Sequence, residues 1–447
     1  MGTLLILNAK IVNENKIFES DIYIRSGRIE KIGHDLSGMK VQHTLDIKGK
    51  YLLPGMIDAN VHFRQNSLNK NSGCNESQSA VAGGVTTYFD MADSVPHVFD
   101  EVLLENKMSL AEGQSLANYS FYLGASNNNL ETIKGLDPQS CCGLNIFMSG
   151  VRDTLLVDDP QILDSIFKAT PIIISAHCED TPTIFENEES YRQIYGDNIP
   201  FELHPKIRTE EACIKSTKIA LELAIKHEAK LHLQQISTAN EAELFADSLL
   251  SEKLVTAEVG SQYLVFTDDD YEQYGALIKT DPAIKTQVDR AGLFQGLMDG
   301  RLDTIATAHL PLSLDKKEGN YFTALSGLPS IEYALPSLLE HYQDGIFSLE
   351  FIADKTSHAV AEIFDIKERG YIREGYWADL VVIDIENGTT ACNESVISKA
   401  QWTPFDGYEF RSSVHATIVN GDLVYTNHQV RTGTQGRRVE FNRDKSS

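Results

Sequence analysis

The chain has 447 residues, enough for one large domain plus a smaller one and for a core that needs neither disulfides nor metals to hold it. Its composition is that of an ordinary soluble globular protein, 42% hydrophobic and 23% charged, with no apolar run near the roughly 20 residues that span a bilayer. With 39 Lys+Arg against 64 Asp+Glu the formal charge is −25, which argues against nucleic acid or an anionic membrane surface as a main partner; a small anionic ligand would need a local basic pocket.

Cys74, Cys141, Cys142, Cys178, Cys213 and Cys392 form no C-x-x-C pair, so reduced, mostly buried thiols are expected rather than a zinc knuckle or a disulfide framework. The start, "MGTLLILNAKIVNENK", lacks a basic n-region and a small-residue cleavage site, and reads as a first strand of a cytoplasmic protein. The first 50 residues continue as short strands and turns, with "SGR" between two alternating runs as a hairpin signal. "GYWADLVVIDIE" and "SSVHATIVNGDLVYTN" give the end of the chain the same texture. The last residues, "NRDKSS", are expected to fray.

Between the two ends, strand-like runs alternate with helical ones. The strand candidates are "GMIDANVHF" (55–63), "TTYFDMAD" (86–93), "ANYSFYLGAS" (117–126), "GLNIFMSG" (143–150), "PIIISAHCE" (171–179), "AKLHLQQIST" (229–238), "KLVTAEVG" (253–260) and "DTIATAHLP" (303–311). Residues 209–230 carry apolar positions at helical spacing behind Glu210 and Glu211, as an outer helix does. The acidic stretches 184–189 and 267–272 read as loops. Eight strands alternating with helices point to an α/β protein with a (β/α)8 TIM barrel over residues 55–366, and a small composite β-sandwich domain from 1–54 and 367–447. A doubly wound sheet is the alternative, but no Gly-rich phosphate loop accompanies it.

In such a barrel function sits at the C-terminal ends of the strands. Those ends carry Asn60, His62, Arg64, Asp90, Asp93, Asn145, His177, Glu179, Gln235, Gln262, Ala308 and His309. Residues i and i+2 of a strand share a face, so a His-x-His pair there can hold a metal from two sides. Asn60 before His62 leaves half of such a pair.

The blocks "LLPGMIDANVHFR", "AVAGGVTTYFDMAD", "GLNIFMSG", "SAHCED", "LHLQQISTANE", "DPAIK", "DTIATAHLPLSLDKKEG" and "KERGYIREGYWADLVVID", in this order, resemble the dihydroorotases of the amidohydrolase superfamily. That resemblance implies a metal-dependent hydrolase barrel whose binuclear centre activates a hydroxide against a cyclic amide. It also implies that His62 and His177 stand at metal-histidine positions. Asn60 and Gln235 stand where metal histidines belong, Asn145 where a bridging lysine belongs, and Ala308 where an aspartate both ligates metal and moves the proton. His62, His177 and His309 are then remnants of a site, expected to be satisfied by Asn145, Gln235 or water. The amides could take over the metal's place through a buried hydrogen-bond network.

On the substrate side the resemblance keeps Arg64 as a carboxylate-binding residue, while Asp93 and Asp281 replace pocket asparagines and would repel an anionic dihydroorotate. Arg64 is expected either to recognise substrate or to pair with Asp93, Asp281 or Glu179. His232 is expected to pack beside the site.

The leading expectation is a catalytically inactive homologue with no cofactor, a homodimer with a scaffold or regulatory role in pyrimidine biosynthesis and aspartate transcarbamoylase as partner. The alternative is an active cyclic-amide hydrolase with zinc on His62 and His177, helped by Glu179 or Asp58, and with His309 as proton carrier. A third reading is a sensor holding a cationic or neutral small molecule between Asp93, Asp281 and Glu179.

Overall fold

A computed structural model describes residues 2–63, 76–94, 96–149, 154–431, 433 and 436–443. Eight parallel strands close the barrel: β1 Met56–Val61, β2 Val85–Asp90, β3 in two pieces Asn118–Phe121 and Leu123–Gly124, β4 Leu144–Phe147, β5 Ile174–His177, β6 Leu231–Ile236, β7 Val255–Gly260 and β8 Thr304–Ala306. Each pairs with its successor. The ring shuts where His62 N donates to His309 O at 2.8 Å, beside a parallel bridge from Val61 to His309. Strands β1, β2, β4, β5 and β6 are buried along their whole length, because helices cover one face and the barrel interior the other. The eight expected strands are these eight.

The outer helix at 209–230 spans Glu210–His227, with Thr209 accepting from Ala212 N as N-cap. The acidic stretches are helical rather than looped. Residues 184–189 lie in helix Thr181–Tyr195, which starts with Asp180 as N-cap and Pro182 in its first turn. Residues 267–272 are covered by the turns Asp268–Asp270 and Tyr271–Tyr274, opened by a Thr267/Asp270 capping box.

The two chain ends meet in a nine-stranded sheet. Tyr51–Pro54 pairs antiparallel with Leu380–Asp384, which joins the strands before the barrel to those after it. Ile6, Ile11, Ile22, Leu52, Leu380, Val382 and Ile418 form its core. The "SGR" hairpin is present, its Ser26-Gly27 turn having φ of 53° and 85° as a tight antiparallel connection requires. Gly27 packs on the Asn420-Gly421 turn, where a Cβ would meet Asn420 O at 2.8 Å.

The C-terminal share is not confined to this sheet. Trp402, Phe405 and Phe410 join the main barrel core, and Trp402 Nε1 donates to Leu312 O at 2.6 Å. The stretch expected to fray is anchored at its beginning: Arg443 donates to the carbonyls of Pro138, Cys141, Cys142 and Phe364. Among the described residues no helix is long and apolar enough to cross a membrane. Cys141, Cys142, Cys178 and Cys213 are buried free thiols and Cys392 is partly exposed; Cys74 lies outside the described residues.

Candidate functional site

The strand ends bring together most of the side chains singled out in the sequence. Arg64 lies outside the described residues. Asn60 is fully buried on β1 and donates from Nδ2 to Glu258 Oε1 on β7 at 2.9 Å. The other Glu258 oxygen faces His232 Nε2 at 3.5 Å, so His232 belongs to the barrel interior beside the site. Asn145, also fully buried, donates to Ser175 O at 3.2 Å. Gln235 accepts a 3.4 Å contact from Tyr263 OH. The amides therefore do not bond one another, and the joined network expected from the sequence is not formed.

Instead each strand-end histidine faces a carboxylate. His62 Nδ1 lies 3.0 Å from Asp93 Oδ2, and His177 Nε2 lies 3.2 Å from Glu179 Oε2. His309 Nε2 reaches Glu76 Oε2 at 3.1 Å, while its Nδ1 accepts from Ser330 N at 3.1 Å and Ile331 N at 3.2 Å. Those two backbone donors fix the tautomer with its proton on Nε2. Where Asn145, Gln235 or water was expected beside these rings, the protein group facing each is a carboxylate, Glu179 from the same strand end as His177 and Asp93 and Glu76 from other segments, and a carboxylate accepts an N–H more strongly than a neutral amide. His309 is fully buried and held at both nitrogens, tying Glu76 to the Ser330–Ile331 turn.

Asp58 is tied down as well. Thr307 donates to it through Oγ1 at 2.5 Å and N at 3.2 Å. Burial still raises its carboxyl to about 7, with the Glu258 charge adding to the rise.

The acids expected to line a pocket are answered by a cation that sequence reading missed. Arg208 places Nη2 2.7 Å from Glu179 Oε2 and Nε 2.9 Å from Asp281 Oδ1. Burial pushes the Asp281 carboxyl up, but the Arg208 and Lys279 charges outweigh it and hold it at about 2. Asp281 also accepts from Ser326 Oγ at 2.9 Å. Burial pushes His204 well below the ordinary histidine range; neutral, it accepts from Tyr321 OH at 2.9 Å and donates to Thr280 O at 2.8 Å. Ser149, Thr181, Arg208, Asp281, Tyr321 and Ser326 line a cavity of about 400 Å³. With Glu179 and Asp281 both bound to Arg208, this cavity does not present the free acidic trio of the sensor reading. Arg208 sits within the run "HPKIRTEE" (204–211), where nothing marks the arginine.

Two strand ends keep a distorted backbone: Gln235 has φ 58° and Ala308 φ 49°. At Gln235 the β6–β7 register slips between Leu233 and Ile236, as at a bulge. Left-handed backbone at non-glycine residues costs on the order of 1 kcal/mol or more and concentrates at functional sites.

The donor set does not fit a binuclear metal centre. Asn60, Asn145 and Gln235 offer neutral amides, Ala308 offers nothing, and no lysine is available at Asn145 to bridge. Among the described residues, the only group of three or more His, Cys, Asp or Glu side chains close enough to share an ion is Cys392, Glu394 and Asp406, away from the strand ends. Asn60 Oδ1, Asn145 Oδ1, Glu179 Oε1 and Gln262 Oε1 are buried acceptors without a protein donor, which is the pattern ordered water satisfies.

No family model matches the chain. Curated relatives align end to end: a dihydroorotase of Pyrococcus furiosus is 29% identical over 438 residues, covering 97% of this chain and 96% of that protein. An allantoinase of Desulfitobacterium hafniense is 28% identical over 445 residues, covering 98% of each. Among solved structures, the L-hydantoinase (dihydropyrimidinase) of Arthrobacter aurescens superposes with a TM-score of 0.90 at 23% identity, over 98% of this chain and all of that one. From end to end the chain is thus similar to dihydroorotases and allantoinases, and it shares the fold of a hydantoinase, with the closed barrel and the sheet built from both chain ends.

Proposed function

We propose that this chain is a catalytically inactive homologue of the cyclic amidohydrolases, of the dihydroorotase kind, that serves as a scaffold or regulator. The observation that carries the reading is the occupation of the strand ends. The Asn60 and Asn145 amides donate to Glu258 and Ser175, each histidine faces a carboxylate, Arg208 holds one Glu179 oxygen, and Ala308 offers only a methyl group, which cannot move a proton. A general base alone is worth about 10² to 10⁴ in rate, and activation of water by a metal adds to that. A role beside pyrimidine biosynthesis, with aspartate transcarbamoylase as partner and the chain as a homodimer, is the biological setting the dihydroorotase resemblance suggests.

The names of the relatives favour a second reading, a working hydrolase with zinc held by His62 and His177. Assay of the purified, zinc-supplemented protein against dihydroorotate, allantoin and a hydantoin separates the two. Absence of hydrolysis above the uncatalysed rate is expected. Turnover that His62→Ala abolishes would establish the second reading, and co-purification with aspartate transcarbamoylase from mixed lysates tests the partner.

A further inference from the structure

Helix Gln287–Met298 after β7 and helix Ala334–Gln343 after β8 help to line a second cavity, of about 510 Å³. It shares no lining residue with the strand-end cavity. Its walls are aromatic: Phe266, Tyr274, Phe294, Phe405, Tyr408 and Phe410. The rings brace one another. Phe266 stacks on Phe405 with centroids 5.7 Å apart, Phe405 meets Phe410 edge-on at 5.4 Å, and Phe410 lies against Tyr408 at 4.7 Å. Rings held in this way make a preformed concave surface, and mostly apolar walls with a few polar groups are what small-molecule sites have in common.

One of the polar groups is a histidine with an open hydrogen-bonding position. His341 lines the cavity from helix Ala334–Gln343 and is 9% exposed. Its ring packs edge-on against Phe294 with centroids 5.0 Å apart, and its buried Nε2 has no hydrogen-bond partner in the protein. Buried polar atoms are nearly always paired, so this one calls for a group the chain does not supply. Burial brings the ring down to about 4, so near neutral pH it is uncharged, with one N–H and one lone pair, and does not oppose a positive charge.

Charge decides the sign of the occupant. Asp270, Glu340, Asp344 and Asp406 line the cavity against Arg290, which donates to Val265 O at 2.8 Å. Arg411 is taken up by Glu340 at 2.8 Å and Asp344 at 2.7 Å. Asp270 accepts from Thr267 N and Asp406 from Asn393 N, and neither meets a cation among the described residues. An acidic surplus on a chain of formal charge −25 attracts cations, and so do the faces of aromatic rings. We propose that this cavity binds a small aromatic ammonium ion, its flat body between the rings and its charged N–H group toward His341 and the acids. The site needs neither a metal nor catalysis at the strand ends.

The test is calorimetric titration of the full chain with tryptamine, an indole carrying a primary ammonium, and with indole-3-propionate, an indole carrying a carboxylate. Saturable binding of tryptamine is expected, about tenfold or more tighter than that of indole-3-propionate. His341→Phe keeps the edge-on packing and removes the ring nitrogens, and is expected to weaken tryptamine about tenfold. If His341→Phe does not fold, Tyr408→Ala removes a ring from the exposed rim and is expected to weaken tryptamine about threefold or more. No saturable binding of tryptamine, binding of indole-3-propionate that is as tight, or tryptamine binding unchanged in the folded variant overturns the proposal.

Discussion

Arg208 Nη2 lies 2.7 Å from Glu179 Oε2, and the Nε of the same guanidinium lies 2.9 Å from Asp281 Oδ1, so one buried cation ties the end of β5 to the segment after β7. Removing it leaves two carboxylates without their counter-charge in a dry setting. Arg208→Met is expected to cost about 3–5 kcal/mol in chemical unfolding, the penalty for breaking a buried pair from one side. A loss below about 1 kcal/mol, the scale of an exposed pair, would show that the guanidinium does not hold this region together.

The same arrangement sets an acid limb to stability. Asp281 is held at about 2 against an ordinary 3.8, burial opposing and Arg208 prevailing. A carboxylate with a depressed native value contributes stability above its unfolded value and loses it as pH falls through the native one, here between about pH 4 and pH 2. Asp281→Asn should flatten the stability curve in that window by about 2 kcal/mol. An unchanged slope in acid titrations followed by circular dichroism would contradict the pairing.

His309 ties Glu76 to the Ser330–Ile331 turn. Truncation strands one buried acceptor and two backbone donors, so His309→Ala should lower stability by about 2–4 kcal/mol, with His309→Gln recovering part of it. A variant as stable as the natural protein would place the ring elsewhere.

Restoring ligand chemistry should restore a metal site. The combined variant Asn60→His, Asn145→Lys, Gln235→His and Ala308→Asp is expected to retain zinc through dialysis, where each single substitution does not. The left-handed backbone at Gln235 and Ala308 accommodates His and Asp, residue types enriched in that conformation. A folded but metal-free combined variant would show that the strand ends no longer have the spacing a metal requires.

The barrel was legible because buried parallel strands write themselves as short apolar runs between helical segments, and all eight runs became strands. The chemistry-bearing positions were legible too, since strand ends define where side chains converge. Their partners were not. Glu76 lies 233 positions from His309, and Arg208 enters from the connection between β5 and β6, where no local pattern distinguishes a buried arginine from a solvated one. The acidic runs misread as loops failed for a related reason: Asp180 and Thr267 act as caps, so that Glu186, Glu188 and Glu189 fall in mid-helix and Asp268–Asp270 in a first turn.

The central claim is that the strand ends hold no metal. Elemental mass spectrometry of the protein purified without chelators from zinc-supplemented culture tests it most directly. The expected result is a zinc-to-chain ratio near zero. One or two tightly held ions per chain, lost in His62→Ala or His177→Ala, would contradict it and make the protein a working cyclic amidohydrolase.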